Sequence, residues 1–230
     1  MRYTNKLAVL EKIYKIYDSL ANTWSTACRR YCAACCTCNV TMTTLEGALI
    51  AEELADKGKT DLFDRLNTVS DNRRFSPKIT TNRLAELCVQ GKAIPDEESD
   101  PRQGECPLLI DNQCPLYPVR PFGCRCFVST TDCRINGYAD VDPFVISVNN
   151  LFLQYIEHID SGGFFGNMTD ILVFINTTAH RQGIQAKAPK QASGRLIVNQ
   201  PLKVLLTPPE HREKITPILN ALLQIQDDYA

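Results

Sequence analysis

Histidine is scarce in this chain, and that scarcity narrows the chemistry more than any other absence. Only His158, His180 and His211 occur, none of them beside a cysteine cluster. No Ser/His/Asp pattern and no paired His–carboxylate pattern is visible, which removes the usual hydrolase signatures. There is no glycine-rich loop of the kind that cradles phosphates. Lysine and arginine form no basic block and the formal net charge is −1, which argues against a nucleic-acid surface held by phosphate contacts. Uncharged runs never reach the ~18 residues of a membrane span. The N-terminal stretch MRYTNKLAVLEKIYKIYDSL is broken by Glu11, Lys12 and Lys15, so it does not read as a secretory signal. These absences predict a cytoplasmic chain with neither a membrane nor a nucleic-acid partner, and they leave a protein partner open.

Cysteine, in contrast, is abundant. Four fall within nine residues, Cys28-Arg-Arg-Tyr-Cys32-Ala-Ala-Cys35-Cys36, with Cys38 just beyond. A second group follows at Cys106, Cys114, Cys124, Cys126 and Cys133, and Cys88 stands between the two. A cytoplasmic compartment keeps thiols reduced, so eleven cysteines read as ligands rather than disulfides. The odd count and the adjacent Cys35-Cys36 pair agree, because neighbouring residues seldom close a low-strain disulfide.

Apolar periodicity outside these groups is helical. Leu7, Leu10, Ile13, Tyr14, Tyr17, Leu20, Ala21 and Trp24 predict an amphipathic helix over 5–24 that delivers the chain to Cys28. Thr43-x-x-Glu46 is a capping box for a helix running to Gly58. Thr60 is a candidate cap for a short helix, and Ser76-Pro77 for another that stops near Gly91 with Cys88 on its apolar face. Asp142-Pro143 opens a helix ending at Gly162-Gly163, and Asn167 caps the next, which stops at Gly183. Leu196–Val198 and Val204–Leu206 are candidates for a hairpin, Thr207-Pro-Pro-Glu210 for a further capping box, and Thr216-Pro217 for a restart or a kink of the last helix. The fold expected is mainly α: an irregular helical fold with a long Cys/Pro-rich metal-binding loop region and one short hairpin. It is read as a single domain over 1–230, with a cysteine-rich metal-binding region at 25–140 and a helical C-terminal region at 141–230.

From Ala93 to Pro143 the periodicity vanishes, in a stretch holding seven prolines and five cysteines. So long a segment without regular structure needs something else to order it, and coordination does that. Thiolates are soft anionic ligands suited to zinc or to the irons of a cluster. Arg120 and Arg125 are placed to offset thiolate charge, Gly123 to let an N–H approach sulfur, and Tyr117 to donate from its hydroxyl. Pro107 and Pro115 directly follow cysteines and stiffen those turns, as in the Cys-Pro end of ferredoxin motifs.

Taken together, Cys28-x3-Cys32-x2-Cys35-Cys36, Cys106-Pro-Leu-Leu, Cys114-Pro-Leu-Tyr, Arg120-Pro121 and Cys124-Arg125 resemble the bacterial CxxCxxCC family. That family is described as zinc- or iron-chelating and includes the flagellin lysine N-methylases. The first gap is three residues here where the usual pattern has two, and Cys38, Cys126 and Cys133 are additional. The resemblance implies Cys28, Cys32, Cys35, Cys36, Cys106, Cys114 and Cys124 as metal ligands. Cys28-x3-Cys32-x2-Cys35 also matches the spacing of radical S-adenosylmethionine enzymes, but those carry it after the first strand of a barrel. Here a helix precedes it, and no strand–helix alternation follows.

The expected function is therefore a metal-thiolate protein holding an iron–sulfur cluster, or another iron or zinc centre, for redox, sensing or metal handling. The alternatives are an enzyme resembling the lysine N-methylases, or zinc used as a structural staple.

Overall fold

Residues 3–29, 31–69, 72–97, 104–176 and 194–227 are described by a computed structural model. The N-terminal periodicity folds as helix α1 (Tyr3–Ala21), which buries Leu7, Leu10, Ile13, Tyr14 and Tyr17 on one face. Strand β1 (Thr41–Thr43) runs directly into α2 (Thr44–Asp56) through the capping box. The Thr43 hydroxyl accepts from the Glu46 N–H at 3.3 Å, and the Glu46 carboxylate accepts from the Thr43 N–H at 2.8 Å. Gly58, at φ +63, ends this helix with Lys59 N–H bonded to Leu54 C=O at 2.9 Å, the left-handed stop that glycine permits. Helix α3 (Asp61–Thr68) follows, but Thr60 is itself helical and contributes no side-chain cap.

Helix α4 (Thr81–Val89) begins later than Ser76-Pro77 suggests, because Thr80 supplies the cap to Arg83 N–H. It closes at Gly91 in the same left-handed manner as α2. Cys88 on this helix is exposed, whereas its spacing beside Leu84 and Leu87 predicts a core position. The buried face of α4 is made instead by Asn82, Ala85, Glu86 and Leu87.

The proline-rich middle is not wholly irregular. It contains a 3-10 turn (Tyr117–Val119) and two single-turn helices, α5 (Phe122–Arg125) and α6 (Cys133–Asn136). Helix α7 (Pro143–Ile159) starts where Asp142 accepts from Phe144 N–H at 2.8 Å, with proline at the first position. Strand β2 (Phe164–Asn167) leads into α8 (Met168–Asn176), capped by Asn167 through Thr169 N–H at 2.9 Å. The expected stop of this helix at Gly183 lies outside the described residues.

Strand β3 (Ile197–Val198) forms, but not as a hairpin with 204–206. It pairs antiparallel with β2, Phe164 opposite Val198, and β2 pairs antiparallel with β1, Met42 opposite Gly166. The backbone of 204–206 is taken by the Gln154 side chain of α7 instead, which donates to Val204 C=O at 2.8 Å and accepts from Leu206 N–H at 2.9 Å. The last helix, α9 (Arg212–Asp227), follows a 3-10 turn (Pro209–His211) and runs continuously through Pro217. The Thr207 capping box does not form, and the Thr207 hydroxyl is buried without a hydrogen-bond partner.

Two apolar cores result, with α2 between them. One joins α1, α7 and α9 through Leu10, Ile13, Tyr17, Phe152, Tyr155 and Leu222, and takes Leu45 and Leu49 of α2. The other joins α3, α8 and β1 to Ile50 and Leu54 of α2, and also buries Leu108 and Leu116 from the cysteine-rich loop. The regions 25–140 and 141–230 therefore interleave in space. Among the described residues, no helix is long and apolar enough to cross a membrane.

Candidate metal centre

The two cysteine segments are joined by backbone before any side chain is considered. Thr37 and Glu105 form an antiparallel bridge. It is flanked by Cys106 N–H to Cys36 C=O at 2.9 Å and Cys38 N–H to Gly104 C=O at 3.0 Å. A second tie lies upstream, where Ala27 N–H donates to Ser129 C=O at 2.8 Å.

Within the second segment, two turns of like sequence are built alike. In Cys106-Pro-Leu-Leu the Leu109 N–H bonds back to Cys106 C=O at 3.0 Å, and in Cys114-Pro-Leu-Tyr the Tyr117 N–H bonds back to Cys114 C=O at 3.2 Å. Proline pre-sets the first turn angle, and the leucine after it, Leu108 or Leu116, is 1% exposed in the second core. Each thiol thus hangs from a turn whose third residue is an apolar anchor. Between them, Asp111 and Asn112, both at positive φ, make a tight turn across which Ile110 and Gln113 exchange hydrogen bonds. That turn folds the spacer back and brings Cys106 and Cys114 to the same cavity.

Cys124 is set by α5. The N-terminal N–H of α5, on Phe122, donates to Glu46 at 2.6 Å, while the other Glu46 oxygen serves the capping box. Tyr14 adds a hydroxyl bond to Glu46 at 2.9 Å, so one buried carboxylate fixes α1, α2 and α5 together. Phe122 stacks on Phe152 at 5.6 Å and meets Tyr17 edge-on at 4.7 Å. Gly123 has a steric role different from the one its sequence suggests: a Cβ there would stand 2.7 Å from the Thr41 carbonyl oxygen, so its absence lets α5 lie against β1.

These devices bring Cys28, Cys32, Cys35, Cys36, Cys106, Cys114 and Cys124 to the wall of a single cavity of about 490 Å³. Arg29, Tyr31, Asn112, Tyr117 and Arg120 also line it. Tyr31 sits at φ +69, an uncommon conformation for a bulky residue, and so curls the chain between Cys28 and Cys32. All eleven cysteines are free thiols. As they stand, no three Cys, His, Asp or Glu side chains among the described residues are grouped to hold a metal ion.

The electrostatics separate the thiols. Burial pushes Cys106, Cys114 and Cys124 up. Backbone N–H groups of Leu108 and Leu109 oppose this at Cys106, and Leu116 with Arg120 opposes it at Cys114. Cys35 is raised chiefly by its hydrogen bond to Cys36, and Cys36 is lowered by the same bond.

Several sequence expectations fall elsewhere. The Arg125 guanidinium is bound by Asp18 at 2.8 and 3.0 Å, by Arg120 C=O at 3.0 Å and by Pro118 C=O at 2.5 Å, and it lies 4.1 Å over the Tyr14 ring. Its charge is thereby committed to α1, while Arg120 bears on Cys35 and Cys114, and Arg134 on Cys32. Tyr117 carries the Arg120 guanidinium 4.0 Å over its ring. Nδ1 of His158 accepts from Leu202 N–H at 3.2 Å, away from the cavity, and His180 lies outside the described residues. Cys133 does not line the cavity; it stands at the end of the 127–133 loop, which is tied to 27–28 by the Ala27 N–H to Ser129 C=O bond. No family model matches the chain, and no curated protein or solved structure matches it either.

Proposed function

We propose that this chain is a metal-thiolate protein in which Cys28, Cys32, Cys35, Cys36, Cys106, Cys114 and Cys124 hold an iron–sulfur centre. The observation that carries the reading is that thiols from two distant segments line one cavity. The donor set fits such a group. It is all sulfur, no histidine lines it, and N–H groups of Leu108, Leu109 and Leu116 approach the sulfurs, as thiolates bound to iron require. Arg120 beside Cys35 and Cys114 offsets the negative charge that thiolates concentrate. The motif resemblance to the CxxCxxCC family points the same way.

An iron–sulfur centre bound here supplies one-electron redox chemistry, which serves electron transfer or sensing. The protein's own part is to position the thiols, to exclude water with Leu108, Leu116 and Met168, and to anchor the centre on two packed cores. Zinc in the same thiols would act as a structural staple.

Anaerobic purification followed by elemental analysis decides between them. Iron with acid-labile sulfide, and a visible thiolate-to-iron absorption, are expected. A colourless protein containing only zinc would overturn the iron–sulfur assignment, and one containing no metal would overturn the whole reading. Cys32→Ser and Cys114→Ser should each lower the metal content.

A further inference from the structure

We infer that the cysteines make two adjacent four-thiol sites: an inner one of Cys36, Cys106, Cys114 and Cys124, and an outer one of Cys28, Cys32, Cys35 and Cys133. The inference rests on the metal-thiolate reading and adds to it a division of ligands, including a cysteine outside the family-like motif.

The two groups hang from different parts of the fold. Cys106, Cys114 and Cys124 all pack against the second apolar core, and Cys36 is held to Cys106 by the 2.9 Å backbone bond. The outer group belongs to a separate knot between 27–32 and 127–133. There Ala27 N–H meets Ser129 C=O, and the Cys28 Sγ faces the Phe127 carbonyl at 3.9 Å. In the same knot the Ser129 hydroxyl donates to Thr131 C=O at 2.7 Å, and the Cys133 Sγ faces that carbonyl at 3.9 Å. Cys32 N–H bonds back to Arg29 C=O at 3.1 Å, which holds Cys32 in the same turn of chain as Cys28. The neighbours of Cys28 and Cys36 differ in the same sense. Cys28 feels Cys35, Cys133 and Cys32, whereas Cys36 feels Cys106, Cys124 and Cys114; Cys35, bonded to Cys36 and felt by Cys124 as well, stands where the two groups meet.

Adjacent residues, Cys35 and Cys36, then serve adjacent sites, which a single four-thiolate centre would not need. Only three cysteines stay outside the scheme, each with a different setting. Cys88 is exposed on α4, Cys126 packs on the first core, and Cys38 bonds Asn39. Cys28 is exposed while the other seven thiols are partly covered, so the outer site has the open edge and is the one that exchanges its metal. In the described part of 28–36 no helix or strand has to break for these thiols to close on a metal.

Cobalt(II) alone is a suitable probe, since its thiolate charge-transfer absorption counts sulfur-bound ions. The full chain, stripped of metal and reduced, is titrated anaerobically. Two equivalents are expected, with chelator removing one several-fold faster than the other. The double variant Cys28→Ser/Cys133→Ser should bind one equivalent, released only in the slow phase. Circular dichroism verifies its fold. Cys133→Ser alone, altering a loop outside both cores, should weaken the fast-exchanging ion by tenfold or more and leave the slow one unchanged. One equivalent in the unaltered chain, or an unchanged fast phase in Cys133→Ser, would overturn the division and leave the metal-thiolate reading standing. No cobalt bound at all would overturn both.

Discussion

The guanidinium of Arg125 is 4% exposed and uses its donors on a carboxylate and two carbonyls, while its Asp18 partner is half in water. The two ends of this ion pair therefore have unequal weight. An ion pair open to solvent at one end contributes little, whereas the Pro118 and Arg120 carbonyls would be left unpaired in a covered site. Arg125→Ala should cost about 2–4 kcal/mol in urea unfolding, and Asp18→Asn less than about 1 kcal/mol. Equal losses would show that the charge pair, and not the carbonyl contacts, holds α5 against α1. From sequence, Arg120 and Arg125 look interchangeable as counter-charges to thiolates. What distinguishes them is Asp18, more than a hundred positions away, and nothing local to either arginine announces it.

Elements whose ends are written in local chemistry were legible: Thr43/Glu46 at α2, Asp142-Pro143 at α7, Asn167 at α8, Gly91 after α4. Local rules failed where a distant group outbid them. Gln154 captures the backbone of 204–206 and so prevents the hairpin, and three-residue β1 carries too little pattern to reveal its pairing with β2. Cys88 follows the helical stripe of Leu84 and Leu87, yet α4 turns a polar face inward, because Asn82 bonds Gln154 C=O and Gln200 C=O. The cysteine segments were legible as groups through their spacing. Their junction, the Thr37–Glu105 bridge, was not, because a single bridge pair has no periodicity.

The seat of α5 on β1 gives a test at this level. Gly123→Ala sets a methyl against a backbone oxygen that cannot rotate away, so α5 and Cys124 must move off the strand. A loss of about 1–3 kcal/mol is expected, together with a fall in metal bound per chain. Unchanged metal content would mean that the position of α5 does not govern the site.

At the scale of the whole molecule, Asp160 ties parts that are far apart in sequence. From the end of α7 it accepts from the Thr44 hydroxyl at 2.7 Å, Leu45 N–H at 3.1 Å and the Asn199 amide at 2.8 Å. Burial, opposed by the bonds from Thr44 and Leu45, pushes its carboxyl from 3.8 up to about 6. The folded state therefore binds this proton more tightly than the unfolded chain. The stabilisation is complete below pH 3.8 and is lost as pH rises through about 6. Asp160→Asn should flatten the stability profile across that window, read from denaturant midpoints at several pH values. An unaltered slope would place the titration on another group, Glu157 being the nearest candidate because burial raises it also.

The order of the two cysteine segments along the chain also has a consequence in time. Cys28, Cys32, Cys35 and Cys36 are synthesised well before Cys106, Cys114 and Cys124, and β2, which seats β1, comes later still. At ordinary elongation rates the first four thiols leave the ribosome on the order of ten seconds ahead of the segment that closes over them. During that interval they are the most oxidisable groups on the nascent chain, and a soft metal that captures them early would do so before the second half of the site exists. On the proposed metal-thiolate reading, the chain's vulnerable moment is thus its own translation, and a complete set of thiols exists only after residue 124 has emerged.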